Sequence, residues 1–120
     1  MKPFLDSAYL CVQDMDRAIK FWEEFLDQKI TIKDDVLSKF DLGDFRLCLF
    51  NPKKVKEKVI YGDNCLLSFK VKDIEQLKAK LKILGADIVY PVTKIGENWV
   101  LEFKDTEGND VEVYSSEVNS

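Results

Sequence analysis

The chain is written twice, and that constrains its fold more than any other feature. Val12-Gln13-Asp14-Met15-Asp16 recurs 59 residues later as Val71-Lys72-Asp73-Ile74-Glu75, and Trp22 falls on Leu81. Each copy opens with a strand-like run, Leu5–Val12 or Cys65–Val71, ending just before an aspartate placed to cap a helix. In the first copy Met15, Ala18, Ile19, Trp22, Phe25 and Leu26 recur at helical spacing, with Phe21 widening the stripe. In the second, Asp73 and Gln76 have capping-box spacing, Ile74, Leu77, Leu81 and Leu84 form the stripe, and Gly85 suits the position just past the helix end.

Short strand-like runs follow each helix: Lys29–Lys33, Val36–Leu42 and Phe45–Phe50, then Asp87–Tyr90, Trp99–Lys104 and Asp110–Ser115. The expected class is therefore α+β, with two tandem βαβββ modules. A repeat of about 60 residues, present twice, is too long and too few for a solenoid. Two modules that each leave one sheet face uncovered are expected to pair, curving their mixed sheets into a cup with the helices outside. At 120 residues the chain is read as one domain, 1–120. Module one is expected at about 1–51, a basic linker at about 52–63 and module two at about 64–116.

Strand parity sorts residues by face. Ala8, Leu10 and Val12, Leu47 and Leu49, Leu67, Phe69 and Val71, Leu101 and Phe103, and Val111 and Val113 are apolar and should meet the helices. The other face carries Ser7, Tyr9 and Cys11, Arg46, Cys48 and Phe50, Leu66, Ser68 and Lys70, Val100 and Glu102, and Asp110, Glu112 and Tyr114. Those groups can do chemistry. Trp22 belongs to the core stripe, and Trp99 is expected near the lip of the cup, after a flexible 94–98 segment.

A formal net charge of −4 disfavours nucleic acid and anionic membranes as partners. No apolar run approaches the ~20 residues that span a bilayer, and Asp6 interrupts any signal-peptide core. A cytoplasmic location is expected. The three cysteines, Cys11, Cys48 and Cys65, are read as free thiols without zinc spacing. Histidine is absent, which removes the commonest transition-metal ligand and the commonest general base near neutrality.

Three segments carry a resemblance. YLCVQDMDRAIKFWEEFL, FKVKDIEQLKAKLKILGADI and FKDTEGNDVEVY together resemble the vicinal-oxygen-chelate superfamily, which includes lactoylglutathione lyase, extradiol dioxygenases and the fosfomycin- and bleomycin-resistance proteins. The chain departs from the family pattern at Thr106, where proline is usual, and at Asp27, where glycine often ends the first helix. In metal-binding relatives four side chains point into the cup. Mapped by motif, those positions hold Ser7, Cys48, Leu66 and Glu112, and only Glu112 matches a family ligand. Leucine cannot coordinate, a neutral hydroxyl coordinates poorly, and one thiolate with one carboxylate is too small a set for a catalytic ion. No metal and no cofactor is expected.

The resemblance then implies a metal-independent small-molecule binding protein of the bleomycin-resistance-like branch, sequestering an antibiotic or aromatic metabolite as a homodimer. Its expected ligand-binding residues are Ser7, Tyr9, Arg46, Cys48, Phe50, Leu66, Ser68, Glu102, Glu112 and Tyr114. The alternative is a lyase- or dioxygenase-type enzyme with a non-standard metal site or one completed by substrate. A third reading has the face closed by its own ion pairs among Arg46, Lys70, Glu102 and Glu112.

Overall fold

The structure, a computed structural model, describes residues 2, 5–55, 59–62 and 65–116. Its contacts divide the chain into two compact units, Met1–Asn64 and Cys65–Ser120. Each unit holds one helix and one mixed sheet, as the repeat requires. Of the expected linker, Pro52–Val55 form a short 3-10 turn, and 56–58 and 63 lie outside the described residues. Among the described residues no helix is long and apolar enough to cross a membrane.

The first unit contains β1 (Ser7–Cys11), α1 (Met15–Leu26), β2 (Leu37–Asp41) and β3 (Arg46–Phe50). The sheet order is β1-β3-β2, with β1 parallel and β2 antiparallel to the central β3. A parallel neighbour needs a crossover, and α1 lies within it. The Asp14 carboxylate starts that helix by accepting the Arg17 N–H at 3.1 Å. The helix packs on β3 and buries Ala18, Ile19, Trp22 and Phe25 above Leu10, Phe40, Leu47 and Leu49. Trp22 is fully buried, with Phe21 and Phe25 meeting it edge-on at 5.6 and 5.5 Å. Burying each such ring contributes roughly 1.5–3 kcal/mol.

One expected strand is missing from this unit. Residues 29–33 form an isolated bridge, Ile32 to Lys39, so the module is βαββ rather than βαβββ. The cause is a contact back to the helix: the Ile30 N–H donates to the Glu23 carboxylate of α1 at 2.9 Å instead of entering a ladder. Immediately beyond, the Asp34 carboxylate accepts the Val36 and Leu37 N–H groups and turns the chain into β2. Those two hydrogen bonds hold the Asp34 carboxyl below its usual range.

The second unit is a full βαβββ module: β4 (Leu67–Lys70), α2 (Ile74–Leu84), β5 (Ile88–Ile95), β6 (Asn98–Lys104) and β7 (Asp110–Ser115). Its order is β4-β7-β6-β5, with β4 parallel to β7 and the other pairs antiparallel. Asp73 Oδ1 accepts the N–H groups of Glu75 and Gln76, both at 3.1 Å. Ile74 and Leu81 on α2 are fully buried, as are Leu101, Phe103, Val111 and Val113 in the sheet. The expected flexible segment at 94–98 is instead a tight hairpin, because Ile95 pairs with Asn98 across Gly96 and Glu97. Gly96 takes φ +62 at the first turn position, where a side chain would be strained.

The duplication reaches the hydrogen-bond register. Tyr9 pairs with Cys48, as Ser68 pairs with Glu112. Val12 N–H donates to the Phe50 carbonyl at 2.8 Å, as Val71 N–H donates to the Tyr114 carbonyl at 2.9 Å.

Asp27 ends α1 in the left-handed region at φ 53, ψ 43, the only such non-glycine among the described residues. Asp27→Gly should raise stability by about 0.5–1 kcal/mol in urea unfolding, because glycine carries no Cβ penalty there. In the β6–β7 turn, buried Asp105 Oδ1 accepts the Glu107 and Asn109 N–H groups at 2.9 and 2.8 Å, and Oδ2 accepts Asn109 Nδ2 at 2.9 Å. Asp105→Ala should cost about 2–4 kcal/mol. Burial raises the Asp105 carboxyl despite these hydrogen bonds. Its protonated form is therefore favoured in the folded state. The stability of the native chain relative to Asp105→Asn should be greatest below the ordinary value of about 3.9 and fall as pH rises through the elevated folded value. Paired urea titrations from pH 4 to 7 read that slope.

Candidate functional site

In each unit one face of the sheet is covered by its helix, and the candidate residues lie on the other. On the first, register sets Ser7 opposite Arg46, Tyr9 opposite Cys48, and Cys11 opposite Phe50. Across β3, Cys48 faces Lys39 and Phe50 faces Leu37. Tyr9 and Phe50 form a tilted aromatic pair with centroids 6.3 Å apart, and Tyr9 keeps 49% of its surface exposed. All five expected ligand-binding residues of module one thus share one face. Lys39 joins them, placed there by the alternation of β2 around the buried Ser38 and Phe40.

The charges on this face are already partly committed. Arg46 Nη1 donates to the Asp6 carboxylate at 2.9 Å, in a pair open to solvent. Cys48 is buried, and burial pushes its thiol upward; Lys39 and Arg46 oppose that shift, while Asp6 adds to it. The Ser7 hydroxyl hydrogen-bonds the Cys48 sulfur. Ser7 and Cys48, two of the family metal positions, therefore do meet, as a hydroxyl against a largely protonated thiol. That pair is a poor ligand set.

On the second unit's open face, Ser68 lies opposite Glu112, Lys70 opposite Tyr114, Val100 opposite Tyr114, and Glu102 opposite Glu112. Leu66 stands one residue before β4 and is exposed. Glu102 and Glu112 are direct cross-strand neighbours of like charge, an arrangement that destabilises a sheet unless something neutralises it. Among the described residues neither forms a salt bridge; the pairs formed are Lys33–Asp16, Arg46–Asp6, Lys78–Glu75 and Lys104–Asp110. Within the second unit, Lys70, Glu102 and Glu112 form no salt bridge with one another among the described residues.

Among the described residues no group of three His, Cys, Asp or Glu side chains is placed to hold a metal ion. The donor set does not fit the catalytic ion of metal-binding relatives: Leu66 has no donor atom, and the Cys48 thiol is held protonated by burial. Trp99 lies under the Lys94 ammonium, 5.8 Å from its ring centre. A surface depression of about 390 Å³ lies along Lys20, Glu23, Glu24, Asp27, Gln28 and Lys29, at the end of α1 and away from the candidate residues.

No curated relative matches the chain. A glyoxalase-related enzyme from Fulvimarina pelagi is similar in fold, with a TM-score of 0.79 at 14% identity, covering 92% of this chain and 86% of that one. A lactoylglutathione lyase from Agrobacterium tumefaciens gives 0.73 at 18% identity, with 92% of both chains covered. A glyoxalase/bleomycin resistance protein/dioxygenase from Nocardioides gives 0.77 at 12% identity, with 96% and 84% covered. The family model of the Glyoxalase/Bleomycin resistance protein/Dioxygenase superfamily matches residues 4–113, and the chain belongs to that superfamily.

Proposed function

We propose that this protein binds a small molecule without a metal ion, sequestering an antibiotic or aromatic metabolite on the open faces of its sheets, as a homodimer in the cytoplasm. The observation that carries the reading is the content of the four family metal positions: a hydroxyl, a buried thiol, an aliphatic chain and one carboxylate. Aromatic side chains with a few polar groups beside them are ordinary small-molecule contacts. Tyr9, Phe50, Ser7 and Arg46 supply these on one sheet, and Ser68, Glu112 and Tyr114 on the other. The free thiols suit a reducing compartment. Dimerisation is supported by β5, a sheet-edge strand on which Ile88, Val89, Tyr90 and Ile95 are exposed.

A second reading has one specific observation behind it. Glu102 directly opposite Glu112 places two carboxylates on adjacent strands, where substrate oxygens could complete a coordination shell around a divalent ion. The named lyase among the structural neighbours makes that chemistry the natural alternative.

Thermal unfolding with Mg²⁺, Mn²⁺, Ni²⁺ and Zn²⁺ separates the two. Binding without metal predicts midpoints within about 2 °C of the metal-free protein, against roughly 4–8 °C for each kcal/mol of stabilisation in a domain this small. A larger rise that disappears in Glu112→Ala establishes the enzyme reading instead. For the dimer, sedimentation should give twice the chain mass, and Val89→Lys with Ile95→Lys should return the monomer. A native monomer refutes this part of the proposal.

A further inference from the structure

We infer that the turn between β6 and β7 is a proton-operated latch: when the Asp105 carboxylate takes up a proton, the Asn109 carboxamide turns over and its Oδ1 accepts that proton from Oδ2. The latch lies in the turn itself and does not depend on what the open faces bind. It gives β7, the strand that carries Glu112, a start whose side-chain contacts change with pH.

With the carboxylate ionised, the donors of the turn are matched unevenly. Asp105 Oδ1 accepts the Glu107 and Asn109 N–H groups at 2.9 and 2.8 Å, and Oδ2 accepts Asn109 Nδ2 at 2.9 Å. Asn109 is 1% exposed, yet its Oδ1 has no hydrogen-bond partner. The Thr106 hydroxyl oxygen, also shut off from solvent, has none either. Buried polar atoms left this way are costly, and folded proteins keep few of them.

A proton changes the matching. Two backbone N–H groups cover Oδ1, so the proton goes to Oδ2. With the amide unmoved, the turn would hold two buried groups without partners, the carboxyl proton and Asn109 Oδ1. A half-turn about χ2 joins them to each other and releases Nδ2, for which the Thr106 hydroxyl is the acceptor still unused in the turn. The backbone is held independently: the Asp105 N–H donates to the Asn109 carbonyl at 3.0 Å, and the Gly108 N–H to the Asp105 carbonyl at 3.3 Å. Only the amide has to move. Burial raises the Asp105 carboxyl against the pull of its hydrogen bonds, and the Glu107 charge adds to the rise. Other charged groups nearby are engaged. Lys104, at the end of β6, is held by Asp110 of β7 at 2.7 Å and by the Gly108 carbonyl at 3.3 Å. Asp87 precedes β5, with its carbonyl accepting the Lys104 N–H, and on α2 Glu75 pairs with Lys78. Uptake therefore falls above the ordinary carboxylate value of about 3.9.

The test is NMR of the full-length ¹³C,¹⁵N-labelled chain titrated from neutral pH into acid. The Asp105 Cγ signal should titrate above about 3.9, and the Asn109 Nδ2 signals should move with the same midpoint. NOEs from the Nδ2 protons should pass from the Asp105 Hβ atoms at neutral pH to the Thr106 side chain in acid. Thr106→Val removes the acceptor for the released Nδ2, so the Asp105 midpoint should shift downward. Thr106→Ser keeps the hydroxyl and should hold the midpoint in place. The same spectra report the folding of each variant. Nδ2 signals that stay fixed while Asp105 titrates, NOEs unchanged across the range, or equal midpoints in Thr106→Val and the native chain would overturn the latch. Unfolding of the native chain before Asp105 titrates would overturn it as well.

Discussion

The parallel pairing of each module's first and last strands is the constraint on which the remaining structure depends. β1 against β3, and β4 against β7, can form only if the chain crosses over between them, and the crossover is the helix. That helix covers one sheet face with Trp22 and Phe25, or with Ile74 and Leu81. Once that face is covered, a slip of one residue would turn Tyr9, Cys48, Ser68 and Glu112 toward the helices and Leu10, Leu49, Phe69 and Val113 away from them. Burial therefore fixes the register, and the register fixes which side chains remain available for chemistry.

The two faces left open have diverged. In equivalent rows, Tyr9–Cys48–Lys39 in one sheet corresponds to Ser68–Glu112–Glu102 in the other. The first is aromatic with a thiol and an ammonium; the second is polar with two facing carboxylates. The apolar faces beneath them have stayed alike, since both must fill space against a helix at crystal-like packing density. Divergence is concentrated where packing exerts no control, and function is free to vary there. This also explains how one superfamily scaffold carries several chemistries.

Part of the charge on the open faces is neutralised within each unit. Arg46 turns to Asp6, and Lys104 to Asp110, each a neighbour in its own unit. Short-range pairs form because nearby partners need little side-chain ordering. Glu102, Glu112 and Lys39 are left on the open faces without a salt bridge among the described residues.

The sequence by itself determined the duplication, both helices with their aspartate caps, the buried stripes and the faces of β1, β3, β4, β6 and β7. These rest on periodicity and capping, which are local and written in residue spacing. It also placed Ser7, Tyr9, Arg46, Cys48 and Phe50 on a common face, because parity in a strand is strict. Tertiary structure decided the rest. Residues 29–33 read as a strand, yet the Glu23 carboxylate takes the Ile30 N–H and reduces that segment to a bridge. Parity puts Lys39 on the open face, but that it stands opposite Cys48 follows from the pairing of β2 with β3. The Ser7–Cys48 contact and the facing of Glu102 on Glu112 likewise follow from which strands lie side by side. A strand's own sequence records which residues share its face, but its neighbours are chosen by long-range pairing that no short window of residues contains.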